Sequence, residues 1–156
     1  MADTTTADLP TGTADDPITV AFVCVQNAGR SQMAAAFAER ERDRRALGDR
    51  IDVRTGGTDP ADHVHEEVVT VLEEVGISVA DRTPREIGRE ELLDVDVVLT
   101  MGCSAEGICP ATWRGDARDW ALDDPDGRPL EAVRAIRDDV EARVAALFDE
   151  LFGDAE

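Results

Sequence analysis

The sequence predicts an α/β protein: a single-domain three-layer sandwich in which a four-stranded parallel sheet carries helices on both faces. Three observations predict it. Two mostly apolar runs, Val20 to Cys24 and Val95 to Met101, are of the kind buried on both faces of a parallel sheet. Strand-like and helix-like periodicities alternate along the chain, which implies right-handed crossovers and a ligand site outside the carboxyl ends of the strands. The 156 residues show no internal repeat and are enough to bury one sizeable core.

Each element follows in order. Met1 to Pro17 is threonine, alanine and aspartate with two prolines, and has neither a basic start nor an apolar centre. It reads as a disordered acidic tail, not a secretory signal or a membrane span, so the domain is expected over 18–156. The first strand ends at Cys24. Gln32 to Arg45 then carries an alanine-rich helical pattern punctuated by Gly48 and Asp49. Ile51 to Thr55 alternates as a short strand, ended by Gly56 and Gly57. His65 to Val75 puts Val68, Val69, Leu72 and Val75 on one face with glutamates opposite, an amphipathic helix closed by Gly76. Ile77 to Val79 is too short for an independent strand, and Thr83-Pro84 with Gly88 marks a loop before Arg89 to Leu93. After Val95 to Met101, Ala117 to Leu122 is a weaker fourth strand that leads into Asp123-Asp124-Pro125-Asp126-Gly127. Leu130 to Phe152 places Val133, Ile136, Val140, Val144, Leu147 and Leu151 at three- and four-residue spacing, a helix that covers the sheet. His63 and His65 read as solvated loop residues and receive no role.

Composition narrows the function classes. Asp and Glu number 35 against 16 basic residues, every one of them Arg, with no Lys or Tyr and a formal charge of −19. A carboxylate-rich surface of this kind points to a proteome adapted to high salt, where hydration is kept and self-repulsion is screened. Nucleic acid and anionic membrane would be repelled. Three cysteines in a chain expected in the cytoplasm argue against a static disulfide framework.

The chemistry centres on Cys24. Five residues, Val25, Gln26, Asn27, Ala28 and Gly29, separate it from Arg30, and Ser31 follows at once, ahead of the helical pattern that begins at Gln32. Backbone N–H groups of a short loop at a helix N-terminus can converge on one anion, and a guanidinium grips two oxygens in a planar fork. The same dipoles favour a thiolate, so Cys24 is expected to act as a nucleophile inside an oxyanion cradle. A buried cysteine ending a core strand is the plainer alternative; it accounts for neither the Arg-Ser pair nor the small and polar residues between.

Cys103 follows the second apolar strand, and in a parallel sheet it emerges at the same edge as Cys24; Cys109-Pro110 lies six residues on. If Ser104 to Ile108 is helical, six residues rise about 9 Å and turn about 600 degrees, which puts the two sulfurs on opposite faces. A disulfide needs Cα atoms within roughly 7 Å, so the pair could bond only after unwinding, which Gly102, Gly107 and Pro110 make easy. A switchable dithiol is the leading reading, beside simple burial or a three-thiol metal site lacking the usual Cys-x2-Cys spacing.

Cys-x5-Arg-Ser resembles the oxyanion loop of the low-molecular-weight tyrosine phosphatases and of the arsenate reductases on the same fold. Met-Gly-Cys-x5-Cys-Pro, a following tryptophan and Asp-Asp-Pro narrow the resemblance to the thioredoxin-coupled arsenate reductases, over Ile18 to about Phe152. The resemblance implies that Cys24 attacks arsenate while Arg30 and the loop amides hold the oxyanion. Asn27 would fix the loop shape and Ser31 would hydrogen-bond the thiolate. Asp124, directly before Pro125, would protonate the departing oxygen. Cys103 would attack the Cys24 adduct, releasing arsenite. Cys109 would then move the disulfide outward to Cys103 and Cys109, for reduction by thioredoxin or a similar dithiol protein.

The chain departs from that pattern twice: Gly29 stands where another cysteine often precedes the arginine, and Ala35 stands where an acidic residue often follows Gln-Met-Ala. The second departure bears on a potassium site of some members, so no metal is expected, and no cofactor. The protein is expected to be a monomer. The alternatives are a low-molecular-weight tyrosine phosphatase, which needs neither Cys103 nor Cys109 but usually has aromatics after Asp-Pro where Asp126 and Gly127 stand, and a non-enzymatic thiol sensor or arsenite-binding module.

Overall fold

A computed structural model describes residues 17–101, 116–120, 122, 125 and 127–152. The elements are β1 (Ile18–Cys24), α1 (Arg30–Arg44), β2 (Ile51–Gly57), α2 (Glu66–Glu73), α3 (Arg89–Leu92), β3 (Val97–Met101), β4 (Asp116–Asp119) and α4 (Leu130–Phe152), with a single 3₁₀ turn at Gly48–Arg50. The four strands form one sheet in the order β2-β1-β3-β4, and every pair is parallel. Every residue of β1 and β3 is buried, as their unbroken apolar runs require of inner strands covered on both faces.

Register matters most for the site. Ile18 pairs with Ile51 and Cys24 with Gly57 on one side of β1, while Val20 pairs with Val97 and Cys24 with Met101 on the other. Three strands therefore finish in one row at Cys24, Gly57 and Met101. Alternate β1 residues face opposite layers. Ile18, Val20 and Phe22 join Val97 and Leu99 in the larger core, beneath α1, α2 and α4. Ala21 and Val23 join Val98, Val95, Ile87 and Leu92 in a smaller core under α3. The layers are unequal because the second face is roofed by one turn of helix and its approach.

Helix α4 buries the predicted stripe and also Phe148. Arginine–carboxylate pairs tie it to its neighbours: Arg45 to Asp149 at 2.8 Å and Arg40 to Glu141 from α1, Arg134 and Arg137 to Glu74 beyond α2 at 2.8 and 2.9 Å, and Arg118 of β4 to Glu150. Such pairs suit the planar guanidinium, although each exposed one is worth only about 0–1 kcal/mol.

The boundaries differ from the sequence reading where tertiary partners intervene. Strand β2 continues through Gly56 and Gly57 instead of stopping at Thr55. Strand β3 starts at Val97 because the Asp96 amide turns to Thr19 O at 2.8 Å while its carboxylate accepts from the Thr19 amide, also at 2.8 Å. Strand β4 is Asp116–Asp119, not Ala117 to Leu122; Trp120 donates its amide to Thr100 O at 2.9 Å and stacks at a tilt on Phe22 with ring centroids 5.9 Å apart. Helix α2 ends at Glu73 because the chain turns at Gly76, whose φ of +84° is left-handed. Helix α1 starts at Arg30, two residues earlier than its apolar pattern suggests. The acidic tail over Met1 to Asp16, together with Cys103, Cys109 and Asp124, lies outside the described residues. Among the described residues no helix is long and apolar enough to cross a membrane.

With 35 acidic and 16 basic residues, the pairs above leave a net charge of −19, so added salt relieves more repulsion than it removes attraction. The screening length falls from about 10 Å at 0.1 M to about 3 Å at 1 M. Thermal unfolding followed by circular dichroism is expected to shift upward between 0.1 M and above 1 M potassium chloride. A flat or falling midpoint counts against the salt-adapted reading.

Candidate active site

The loop 25–29 leaves β1 at Cys24 and enters α1 at Arg30. An oxyanion cradle needs its amides inward, which requires the carbonyls to find partners outside. They do: Cys24 O accepts from the Thr58 amide at 3.2 Å, Val25 O from Asp59 at 2.8 Å, Gln26 O from Ala61 at 2.9 Å and Ala28 O from His65 at 3.0 Å. Asn27 O accepts from Gln32 Nε2 at 3.0 Å, and Gly29 O accepts from the Met33 amide at 3.0 Å, the first turn of α1. Every carbonyl from Cys24 to Gly29 is thus held away from the site, four of them by the β2–α2 connection. The helix N-cap, Gly29, has no side chain to cover the first-turn amides, which are left oriented toward an anion.

Cys24 is buried, 3% exposed, and its Sγ has two polar neighbours. The Asn27 amide donates to it at 3.1 Å, and Ser31 Oγ lies 2.8 Å away. The direction of the second contact follows from the network behind it. Asn27 Nδ2 donates to Ser31 Oγ at 2.7 Å and to Thr55 Oγ1 at 2.9 Å, so the Ser31 hydroxyl is free to turn its own proton toward the sulfur. Thr55 Oγ1 in turn donates to Phe22 O at 2.9 Å. Asn27 Oδ1 accepts from Gln32 Nε2 and from the Arg85 amide, both at 3.1 Å. The amide orientation is settled by this surround of two hydroxyl oxygens and two N–H donors. Asn27 is fully buried with φ +53°, a left-handed backbone that asparagine adopts more readily than other non-glycine residues.

Glycines let the pieces close. A Cβ on Gly57 would lie 2.4 Å from Val25 O and 3.0 Å from the Asn27 nitrogen; one on Gly56 would lie 2.5 Å from Ile87 Cβ. The loop therefore rests directly on the end of β2, and the 85–87 segment rests on the residue before it. A Cβ on Gly29 would lie 2.8 Å from Pro125 Cγ and 3.4 Å from His65 Cδ2. Arg30 Nη1 donates to Leu122 O at 3.2 Å. Leu122 and Pro125, the described residues on either side of Asp124, therefore both touch the loop.

Cys24, Asn27 and Ser31 are hydrogen-bonded to one another at the strand end, Arg30 begins the helix beside them and donates to Leu122 O, and Val25 is half-buried and Gln26 exposed. Sequence reasoning missed Gln32, Thr55, Arg85 and the backbone of Thr58 to His65. It also read Gly56-Gly57 as a stop signal and left His65 without a role, although the His65 amide holds the loop. The paired glycines at the end of a strand were the available signal, since close backbone approach is the other reason for glycine in a strand.

Comparison with known proteins follows the same lines. The family described as low molecular weight phosphotyrosine protein phosphatase matches residues 19–156. A relative in the halophile Halobacterium salinarum, named provisionally as an arsenate reductase, is 60% identical over 137 residues, which span 88% of this chain and 95% of the relative. The glutaredoxin arsenate reductase of Synechocystis is 37% identical over 132 residues, 82% of this chain and 94% of its own. The solved thioredoxin-dependent arsenate reductase of Corynebacterium glutamicum superposes with a TM-score of 0.70 at 30% identity, covering 86% of this chain and 62% of that one.

Two substitutions test the geometry. Gly57→Ala pushes a methyl into the loop backbone and is expected to lower stability by about 1–3 kcal/mol and to weaken phosphate binding at least about tenfold, measured by denaturant unfolding and titration calorimetry. Asn27→Ala removes hydrogen bonds to buried Ser31 and Gln32 and part-buried bonds to Thr55 and the Arg85 amide, and forces alanine into a left-handed backbone, with an expected loss of about 2–4 kcal/mol in the same unfolding assay.

Proposed function

The chain belongs to the low molecular weight phosphotyrosine protein phosphatase family, and from that premise we propose that it is an arsenate reductase working through a three-thiol relay. The observation that carries the reading is the register of β1 with β3. Met101, two residues before Cys103 in the chain, is the direct partner of Cys24. A phosphatase has no use for thiols following that strand; a reductase needs them there.

Arsenate enters the cradle with its oxygens on the loop amides and the Arg30 guanidinium. The Cys24 thiolate forms the sulfur–arsenic bond, and one oxygen departs as water after protonation, the role given to Asp124. Leu122 and Pro125, which contact Arg30 and Gly29, support that role. Cys103 then attacks the Cys24 sulfur. The sulfur–sulfur bond forms, the electron pair of the sulfur–arsenic bond stays on arsenic, and arsenic(V) leaves as arsenite. Cys109 attacks Cys103 and returns Cys24 as a thiolate, leaving Cys103 and Cys109 joined. An external dithiol of the thioredoxin or glutaredoxin type restores both, so each turnover consumes two electrons and yields one arsenite and one water. The loop amides, Asn27 and Ser31 favour the Cys24 thiolate at the two points where it is free, before it attacks arsenate and when Cys109 releases it.

A relay of free thiols belongs in a reducing compartment, which supports a cytoplasmic location, and a charge of −19 opposes self-association, which supports a monomer. Since the loop would also take a phosphoester, slow phosphatase activity is expected at Cys24.

Steady-state arsenate turnover with a thioredoxin system, run beside p-nitrophenyl phosphate hydrolysis, tests the assignment. Cys24→Ser is expected to abolish both activities, because a serine hydroxyl stays protonated where a thiol ionises; near-normal turnover would overturn the reading. Cys103→Ser and Cys109→Ser are each expected to stop multiple-turnover reduction while leaving ester hydrolysis within a few-fold of the parent. Parental arsenate turnover in both would favour the phosphatase instead.

A further inference from the structure

One of the four bonds to the Asn27 side chain comes from far along the chain, and the residue that supplies it does more than donate an amide. Arg85 N–H reaches Asn27 Oδ1 at 3.1 Å. The segment 85–87 lies along the open edge of β2 as a minimal extra strand: the Gly57 amide donates to Arg85 O at 2.9 Å, the Ile87 amide donates to Gly57 O at 3.1 Å, and Glu86 is bridged to Gly57 in parallel. The Arg85 side chain clamps this segment. Its Nη1 donates to Thr55 O at 2.7 Å, and its Nη2 pairs with the Glu91 carboxylate on α3. Thr55 is also the residue whose hydroxyl receives Asn27 Nδ2. Arg85 thus secures both ends of the Asn27 amide, directly at Oδ1 and through Thr55 at Nδ2.

We propose that Arg85 is a positioning residue for the nucleophile: by clamping the 85–87 segment to β2 it keeps Asn27 in its left-handed conformation, and through Asn27 it maintains the N–H and O–H donors on the Cys24 thiolate. The proposal rests on Cys24 being the nucleophile of the proposed reaction. Its physical basis is that asparagine tolerates the left-handed region without requiring it, so the hydrogen bonds of its side chain select that conformation here. If the segment lifts, Asn27 relaxes, its amide swings from Sγ, and the Ser31 hydroxyl loses the donor that orients it. The ion pair is suited to the task. Burial, which pushes the Glu91 carboxyl up, is outweighed by the bonds from Arg85 and the Gly88 amide, and its pKa lies below the usual carboxylate value. The opposing view is that Arg85, with 47% of its side chain exposed, forms an ordinary surface pair and affects only stability.

The test uses the full chain with Cys103→Ser and Cys109→Ser, so that Cys24 is the reporting thiol, and measures iodoacetamide alkylation against pH beside thermal melting. Arg85→Ala is expected to slow alkylation at neutral pH about three- to tenfold, the scale of one ordinary hydrogen bond, and to move the profile to higher pH. Arg85→Lys, which keeps the charge but has one nitrogen in place of Nη1 and Nη2, is expected to recover part of that loss, and Glu91→Ala to shift the profile in the same direction as Arg85→Ala. A parental profile in Arg85→Ala overturns the proposal, as does a parental profile in Glu91→Ala should Arg85→Ala fail to fold. The readout needs no arsenate, so the expected alkylation pattern together with a failure of the unsubstituted three-cysteine chain to turn over arsenate would sink the reductase reading and leave the Arg85 inference standing.

Discussion

Six consecutive carbonyls, Cys24 to Gly29, must face away from the sulfur if the amides between them are to face an anion, and that single demand organises the molecule around the loop. Unpaired buried carbonyls would cost about 1–3 kcal/mol each, so their donors have to be built elsewhere in the fold. The β2–α2 connection supplies four of them through the amides of Thr58, Asp59, Ala61 and His65. That connection can reach only because β2 runs parallel to β1 and ends level with it, Gly57 opposite Cys24. Parallel pairing, alignment of the strand ends and the path of the chain into α2 are thus consequences of one hydrogen-bonding requirement.

Asn27 extends the same logic from backbone to side chain. It makes a bond to the sulfur with its main chain and orders Ser31 with its amide, and it is in turn held by Gln32, Thr55 and Arg85, residues from α1, β2 and the approach to α3. All four hydrogen bonds of the Asn27 side chain are made, which holds the groups around the Cys24 sulfur in place, although Gln32 Oε1 beside them is buried with no partner among the described residues. Glycine makes the tightness possible: Gly57 admits the loop, Gly56 admits Ile87, and Gly29 admits Pro125.

Charge acts on two length scales here. The chain carries a net −19, which repels an oxyanion at a distance, yet in the proposed mechanism the substrate would meet amide dipoles and Arg30 within the cradle. Screening by salt weakens the first effect far more than the second, because a desolvated bidentate contact is little exposed to ions. An acidic exterior and an anion-binding interior are therefore compatible, and most so in concentrated salt.

The sequence by itself determined the strand and helix order, the two inner strands and the Cys24 to Ser31 loop, because apolar periodicity and a five-residue spacing are local properties of the chain. The α4 boundaries were legible to the residue, since its stripe runs unbroken from Val133 to Leu151. Tertiary structure alone decided what surrounds the loop. Arg85 stands 58 residues from Asn27 and Thr55 stands 28 away, and no local pattern marks either as its partner. Gly56 and Gly57 obey the same rule in reverse: a glycine that stops a strand and a glycine that lets a second backbone come within contact look identical in one dimension. His65 appeared idle because its contribution is a main-chain amide, which every residue type but proline possesses and no sequence pattern can single out.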